Sequence, residues 1–288
     1  MAAAAHDLQT AELALSAQQD ACGAFELQDL RAQLPGIEPD RHVSDWGRSD
    51  RVEGALDRTL YDFLYHYWFR VAVEGIENVP TDGPALLVAN QAGALAPSAA
   101  MIVKAIRQEH PRSRPVHFVT TPDVSDVPAI GMLVTKVGGV GEHPANVHRL
   151  LFDERQLVLA FPEGAAGRAK PIKHRYRLRQ FGGGTAIETA VEAGVPIVPM
   201  AVVGAEEALP VVAQISLLQR LTRLPSLRVG SALPLPAKFR IRFLEAIDTG
   251  PLHDRAWSAV QALSHDLRTL IQENLLEMLA QRRSVWLG

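Results

Sequence analysis

Residues 156–164 read QLVLAFPEG, an apolar run that stops at a proline, a glutamate and a glycine. A short apolar run bounded by turn residues is typical of a strand that is buried on both faces of a sheet. The pattern recurs upstream in residues 85–89, ALLVA, and downstream in residues 196–203, PIVPMAVV. We interpret all three runs as strands of one sheet.

Helical patterns separate these runs, with Ser98 as a candidate helix cap. The predicted helices cover residues 98–106, 144–152, 183–193 and 254–282, and further strands cover residues 115–120 and 239–244. Strands that alternate with helices favour parallel pairing, because each crossover places a helix on one face. We therefore expect an α/β fold, with a mostly parallel central sheet of about six or seven strands and helices on both faces.

Composition narrows the function classes. The 288 residues carry a formal net charge of −3, so overall charge gives no attraction to nucleic acid and we expect no nucleic-acid partner. The single cysteine, Cys22, excludes an internal disulfide, and no metal-binding Cys/His spacing is present. No apolar run reaches the roughly 18–20 residues that span a bilayer. We expect a cytoplasmic protein whose membrane contact, on the inner face, is peripheral.

Two regions are predicted along the chain. Residues 1–50 are rich in Ala, Gln and Asp with weak periodicity, and we interpret them as a variable, disordered N-terminal extension. Residues 51–288 form the organised domain, which opens with an apolar periodicity over residues 56–71. This helix is unusually aromatic. It fits either packing against the core or lying at a bilayer interface.

Two turns that directly follow strands are candidate parts of a site, because ligands bind at the carboxyl ends of strands in open α/β sheets. The first contains Asn90, Gln91 and Gly93, and the second is formed by residues 161–164. Either turn could equally be an ordinary strand–helix connection.

A basic stretch follows the second turn. Residues 168–179 contain no acidic residue, and their Lys and Arg side chains suit a phosphate or an anionic lipid surface. A solvated basic loop is the plainer interpretation. The prolines at 196 and 199 predict an edge strand or a bulge, because proline cannot donate to a ladder. That strand could also form an apolar wall for an acyl chain.

Together these blocks resemble the lysophospholipid (glycerolipid) acyltransferase superfamily, of the phosphatidic-acid-forming type. Asn90-Gln91 stands at its Asn-His block, residues 137–140 at its Gly-rich block, FPEG (161–164) at its third block and VPIVP (195–199) at its fourth. Residues 75–80 resemble its opening strand. The resemblance covers about residues 56–288. It implies acyl transfer from acyl-CoA or acyl carrier protein, as co-substrate, to a lysophospholipid-type acceptor, without a further cofactor or metal.

The first block departs from the family pattern. Gln91 replaces the histidine that acts as general base, and the aspartate falls on Ser98 or, with the shorter spacing, on Ala96. A carboxamide does not accept a proton at neutral pH, and general-base assistance is worth roughly 10²–10⁴-fold in rate. We expect a weak or inactive enzyme, a pseudoenzyme that retains lipid and phosphate binding. The catalytic positions are Gln91, Ser98 and Glu163, and the binding positions are Asn90, Gly93, Phe161, Pro162, Gly164, Arg168, Lys170 and Arg175.

Three alternative functions are compatible with the sequence. In the first, the protein binds lysophospholipid or acyl-CoA without turnover, alone or beside an active paralogous acyltransferase. In the second, it is an active acyltransferase whose general base is another histidine, with His174 or His117 as candidates. In the third, it is a peripheral membrane module that uses the aromatic helix and the basic stretch and transfers no acyl group.

Overall fold

The computed structural model describes residues 43–91, 97–121, 128–168, 170–181, 185–215, 227–230, 234–250 and 257–286. The chain divides into two compact units, Met1–Val43 and Ser44–Gly288. The predicted extension lies outside the described residues up to residue 42. Close to its predicted end, Arg48 is 6% exposed and its Nε donates to Glu53 Oε2 at 2.7 Å. The larger unit therefore begins before residue 51.

The sheet contains seven strands of the described chain, in the order β1-β9-β6-β2-β5-β3-β4. Their bounds are Ala72–Glu74 (β1), Ala85–Ala89 (β2), Val116–Thr120 (β3), Gly139–Gly141 (β4), Leu157–Ala160 (β5), Ile197–Val203 (β6) and Arg240–Phe243 (β9). All neighbouring pairs are parallel except β6 with β9. Strands Val211–Ile215 (β7) and Leu227–Gly230 (β8) form a separate antiparallel pair. The predicted α/β architecture is confirmed.

Helices connect these strands. Their bounds are Asp50–Leu56 (α1), Pro97–Glu109 (α2), Pro128–Lys136 (α3), Pro144–His148 (α4), Gly164–Arg168 (α5), Thr185–Glu192 (α6), Ala205–Ala208 (α7) and Trp257–Ala280 (α8). Two π-helical turns, Asp57–Tyr61 and Leu64–Trp68, follow α1, and a third, Arg149–Asp153, follows α4. Among the described helices, none has the length and apolar character needed to cross a membrane.

Helices cover both faces of the sheet because successive strand residues point to opposite sides. In β2, Leu87 and Ala89 pack with α2 and with residues 50–68, which we call the N-terminal helical segment, whereas Leu86 and Val88 pack with α4, α6 and α8. Both sides are fully buried, which explains why β2 reads as a continuous apolar run rather than an alternating one.

The N-terminal helical segment combines two environments. Tyr65 and Phe69 are buried in the core, as the packing interpretation requires. Leu60, Phe63 and Tyr67 remain 47%, 49% and 71% exposed, which leaves an apolar strip on the outer side. The predicted opening strand is displaced: β1 ends at Glu74, and residues 76–78 form a 3₁₀ turn after Gly75, whose φ is 71°.

The prediction that residues 196–199 mark an edge strand is wrong, because β6 lies between β9 and β2. Pro196 precedes the strand and its missing N–H is not needed there. The carbonyl of Pro199 accepts from the N–H of Leu244, one residue past the end of β9, and antiparallel pairing resumes only at the bridge between Ile197 and Ile247. A proline is tolerated at this place because its missing N–H falls at this irregularity of the pairing.

Candidate functional site

The carboxyl ends of β2, β5 and β6 lie side by side, because these three strands are parallel neighbours. Asn90 and Gln91 follow β2, the turn of residues 161–164 follows β5, and α7 follows β6. Ligands bind at this edge in open α/β sheets. The sheet topology therefore brings Gln91 and Glu163 together at the edge where a site is expected.

Glu163 joins three chain segments at this edge. Its Oε1 accepts from the backbone N–H of Gln91 at 3.0 Å, and its Oε2 accepts from the backbone N–H of Arg179 at 2.8 Å. The Nζ of Lys170 lies 3.2 Å from Oε2, and the Glu163 side chain is fully buried. Since both carboxylate oxygens are already engaged, the geometry favours an anchoring role over proton transfer.

Gly167 allows helix α5 to lie directly on this pair. A Cβ at position 167 would stand 2.6 Å from the Cβ of Glu163 and 3.2 Å from the Cβ of Gln91. The first distance is shorter than real Cβ contacts, so a larger residue would displace the turn. Gly167 was not predicted from the sequence to be part of the site, although it lies only three residues after Gly164.

Lys170 is an internal countercharge in the structure. Its Nζ lies between Glu163 Oε2 at 3.2 Å and Glu206 Oε1 at 3.1 Å, and its side chain is 1% exposed. The sequence predicts Lys170 as a phosphate contact, whereas the structure turns its ammonium inward. The physical reason is that two buried carboxylates require a buried cation. Burial raises the pKa of Glu206 to about 7, with the charge of Lys170 opposing the rise and that of Glu163 adding to it.

Asn90 extends the pairing of β2 with β6. Its Nδ2 donates to the Val202 carbonyl at 3.0 Å, and its Oδ1 accepts from the Val202 N–H at 2.7 Å. The residue is completely buried. The Asn90 side chain thus makes hydrogen bonds like those that the next backbone pair of the β2–β6 ladder would make. Direct contact of Asn90 with a substrate stays a prediction.

Gln91 presents a buried amide oxygen with no partner. The residue is 4% exposed, and its Oε1 has no hydrogen-bond partner in the described part of the chain. An unpaired buried polar group is costly, at about 1–3 kcal/mol, unless a ligand or water meets it. Gln91 also lines the cavity described below, so this oxygen lies at the boundary of a space that a ligand can fill.

Ser98 lies in the first turn of α2. It is completely buried and its Oγ likewise has no partner among the residues that the structure describes. No described hydrogen bond joins Ser98 to Gln91 or Glu163, so its place beside the motif glutamine stays a prediction.

The remaining predicted binding residues are placed unevenly. Phe161 lines the cavity, and Gly164 follows Pro162 and Glu163 with a φ of 54°, a conformation that favours glycine. Arg175 is exposed, with its Nε 3.6 Å from Glu207. Arg168 ends α5, but its side chain, like the whole of Gly93, lies outside the described residues.

An apolar cavity of about 340 Å³ extends from this edge along α2. Its walls include Ala99 and Val103 of α2, Phe118 of β3, Val134 of α3, and Phe161. The helix rise of 1.5 Å per residue gives the wall from Ala99 to Arg107 a length of about 12 Å. The predicted apolar wall along β6 is instead solid core, since every residue of that strand is buried.

Charged residues close the cavity away from Gln91. Lys104 Nζ lies 3.2 Å from Asp57 Oδ2 and 3.2 Å from Asp62 Oδ1, and Arg107 pairs with Glu53. Four of these five charged residues line the cavity: Glu53, Asp57, Lys104 and Arg107. This cluster was not predicted from the sequence. Its signal was a lysine on the buried side of an otherwise apolar helix.

Neither candidate for a displaced base lies at the cavity. Its described lining contains no histidine. His117 lies beside Trp46, with ring centroids 6.5 Å apart, and burial lowers its pKa to about 4. His174 belongs to the 3₁₀ turn Ile172–His174, and no described hydrogen bond joins it to Gln91.

Comparison with known proteins agrees with this geometry. The Acyltransferase family matches residues 70–203, which include both turns of the site. An uncharacterized protein of Mycobacterium tuberculosis is 35% identical over 271 residues, covering 90% of this chain and 75% of its own. An uncharacterized protein of Mycobacterium leprae is 35% identical over 276 residues, covering 90% of this chain and 73% of its own.

One solved structure shares the fold. The crystal structure of the 1-acyl-sn-glycerophosphate (LPA) acyltransferase PlsC from Thermotoga maritima superposes with a TM-score of 0.54 and 18% identity. The match covers 81% of this chain and 80% of that one. The chain belongs to the Acyltransferase family.

Proposed function

We propose that this protein binds a fatty-acyl lipid in the cavity beside Gln91 and transfers acyl groups weakly or not at all. The observation that carries the proposal is the carboxamide of Gln91, buried and unpaired at the edge of an apolar cavity. The cavity offers apolar walls to an alkyl chain, and Gln91 offers an amide to its polar end. No titratable base of the described lining stands at that end, since its charged members pair with one another or with Asp62.

The substrates follow from family membership and from the name of the structural relative, an LPA acyltransferase. We propose a lysophospholipid-type acceptor, with acyl-CoA or acyl carrier protein as donor. A cytoplasmic location with peripheral membrane contact, and pairing with an active paralogue, are further parts of this proposal. An active enzyme with a displaced base is not favoured, because neither His117 nor His174 meets the cavity.

The decisive experiment compares binding with turnover. Purified full-length protein is given labelled acyl-CoA and a panel of lysophospholipids, and both bound label and transferred label are measured. We expect saturable binding with transfer near background. The Gln91→His/Ser98→Asp variant is expected to gain transfer, by roughly 10²–10⁴-fold at most, since it restores a base and its orienting carboxylate.

A matched control separates chemistry from shape. Gln91→Asn/Ser98→Asn changes the same positions without adding a titratable base, and Gln91→His alone covers the case in which a buried aspartate at 98 prevents folding. Robust transfer by the wild type, retained in the control, would overturn the proposal. Absence of acyl-lipid binding would overturn it too.

A further inference from the structure

The basic segment after the Glu163 turn is a fixed strap rather than a free loop. Within residues 175–179, which we call the arginine strap, Tyr176 and Leu178 are 3% and 4% exposed, whereas Arg175, Arg177 and Arg179 are exposed. Burial of every second side chain leaves the three guanidinium groups outside. The φ of Tyr176 is 59°, so the strap also carries a sharp local bend.

Helix α8 holds the strap in the way that a neighbouring strand would. Gln272 accepts from the N–H of Leu178 at 2.9 Å and donates to the carbonyl of Tyr176 at 2.8 Å. Arg268 donates to the carbonyls of Leu178 and Arg179, both at 3.1 Å. The backbone amides that would otherwise be solvated are thereby engaged, which keeps the strap in place.

Acidic residues anchor the other side of the strap. The N–H of Arg179 donates to Glu163 Oε2 at 2.8 Å. The Tyr176 hydroxyl bonds to Glu207 and accepts from the N–H of Gly204. The strap is therefore attached directly to Glu163, one of the two carboxylates that share Lys170.

The outward charges of the strap are largely uncompensated. Arg177 and Arg179 take part in no ion pair with described residues, and Arg175 makes only a 3.6 Å contact with Glu207 while 48% exposed. The whole chain nevertheless carries a net charge of −3, so this surface is a local exception. Guanidinium groups suit phosphate oxygens because their planar fork offers paired donors.

Two neighbouring features point to a lipid surface as the source of phosphate. The Arg179 end of the strap is bonded to Glu163, and Glu163 lies at the same sheet edge at which Gln91 borders the apolar cavity. Gln180 and Phe181, which follow the strap, line another cavity together with Trp257, a side chain that is 47% exposed. Exposed tryptophan next to arginine is typical of surfaces that meet the bilayer interface.

We propose that the arginine strap docks this sheet edge on the phosphate layer of an anionic phospholipid bilayer, so that the Gln91 cavity faces its lipid source. The proposal rests on the proposed acyl-lipid binding for its purpose, but the docking itself is separately measurable. Each arginine near an anionic surface adds about fivefold in affinity.

The test is sedimentation of the full-length protein with vesicles of phosphatidylglycerol and phosphatidylcholine in equal parts. We expect Arg175→Gln/Arg177→Gln/Arg179→Gln to weaken binding by about 100-fold, and added salt to weaken the wild type. Arg51→Gln/Arg58→Gln/Arg283→Gln removes the same charge from exposed positions elsewhere and is expected to change binding only slightly.

Other outcomes overturn the proposal. Equal loss in both triple variants would indicate general charge attraction, and wild-type binding no better than to pure phosphatidylcholine would exclude anionic docking. Release by inorganic phosphate far beyond chloride of equal ionic strength would assign the strap to a single soluble phosphate. If the strap variant lost binding to an acidic carrier protein but kept vesicle binding, the partner would be a protein.

Failure of docking and failure of acyl binding are distinguishable. A soluble fluorescent fatty-acyl probe, added without vesicles, reports the cavity alone. We expect Arg177→Gln/Arg179→Gln, which leaves Arg175 unchanged, to bind this probe as the wild type does. If vesicle binding is absent and probe binding is retained, the docking proposal fails and the acyl-binding proposal stands. If probe binding is absent and vesicle binding is retained, the acyl-binding proposal fails and the docking proposal stands.

Discussion

The backbone N–H of Gln91 donates to Glu163 Oε1 over 3.0 Å, joining two motifs that lie 72 residues apart in the chain. This bond holds the backbone of Gln91, the position predicted to correspond to the family histidine, in place. Glu163, in the third block (161–164), thus fixes the backbone of the first block at Gln91. The arrangement keeps the edge ordered even though Gln91 itself cannot take a proton.

Removal of the Glu163 carboxylate is expected to destabilise the protein strongly. Glu163→Ala leaves two backbone N–H groups without their acceptor and leaves Lys170 with Glu206 alone, which we expect to cost about 3–5 kcal/mol. Chemical denaturation measures the change. Glu192→Gln alters an exposed glutamate and should stay within about 0.5 kcal/mol. Equal effects of the two changes would contradict the anchoring role.

Asn90 is predicted to act through stability. Asn90→Ala removes both hydrogen bonds to Val202 in a fully buried place, so we expect a loss of about 2–4 kcal/mol. Asn90→Asp keeps the acceptor for the Val202 N–H but sets a carboxylate against the Val202 carbonyl. It should cost at least as much at neutral pH. Thermal unfolding of both variants checks this, and a neutral Asn90→Asp would count against it.

Glu206 gives the fold a pH dependence. Its pKa is about 7 in the folded protein and about 4.5 in the unfolded chain, so the folded state holds the proton more tightly. The contribution of Glu206 to the free energy of unfolding is fully present below pH 4.5 and is lost as pH rises through about 7. This shift in pKa corresponds to on the order of 3 kcal/mol. We expect Glu206→Gln to remove this slope in denaturation measured between those pH values.

The neighbours of Glu206 define the control. Lys170, Glu163 and the N–H of Tyr176 face its carboxylate, and Glu207 with Arg175 and Arg282 lies beside them. Glu192→Gln leaves this group untouched and should retain the wild-type slope. An unchanged slope in Glu206→Gln would show that another group titrates instead.

Filling the cavity is expected to block an alkyl chain. Ala100 lines the cavity on α2, and Ala100→Phe places a ring where the chain would lie. If two methylene groups of the alkyl chain can no longer be buried, the binding free energy falls by about 1.6 kcal/mol, which is more than tenfold in affinity. Fluorescence titration with a fatty-acyl probe measures it. Ala55→Phe makes the same change at an exposed helical position, and equal affinity of both variants would place the chain elsewhere.

Much of the fold was predictable because its strands are buried on both faces. The run ALLVA coincides with β2, Ala85–Ala89, and QLVLAF contains β5, Leu157–Ala160. The short strand β4 was missed and the opening strand was placed later in the chain than β1, since three residues give too little periodicity. We predicted β6 at the edge of the sheet from its proline. A proline removes an N–H on only one side of a strand, so it does not by itself require an edge position.

The site was predictable in part. Gln91 and Glu163 stood out because each follows a buried strand, and parallel strands end at one edge. Their hydrogen-bonded partners could not be read in the same way. Lys170 looked like one more cation of a basic stretch until Glu206, 36 residues away, came to face it. The charged end of the cavity had the same origin, since Lys104 meets Asp57 only through packing of two helical segments.

The amino-acid order alone determined that the chain forms a layered α/β sheet and that a carboxamide, that of Gln91, follows the strand β2, because apolar runs and residue types are local properties. Tertiary structure decided which charges face inward, which arginines face outward and where an alkyl chain finds room. Those outcomes depend on which distant segments come together when the sheet buries its two faces. A charge that has been removed from water is stabilised only by the partners that this packing supplies.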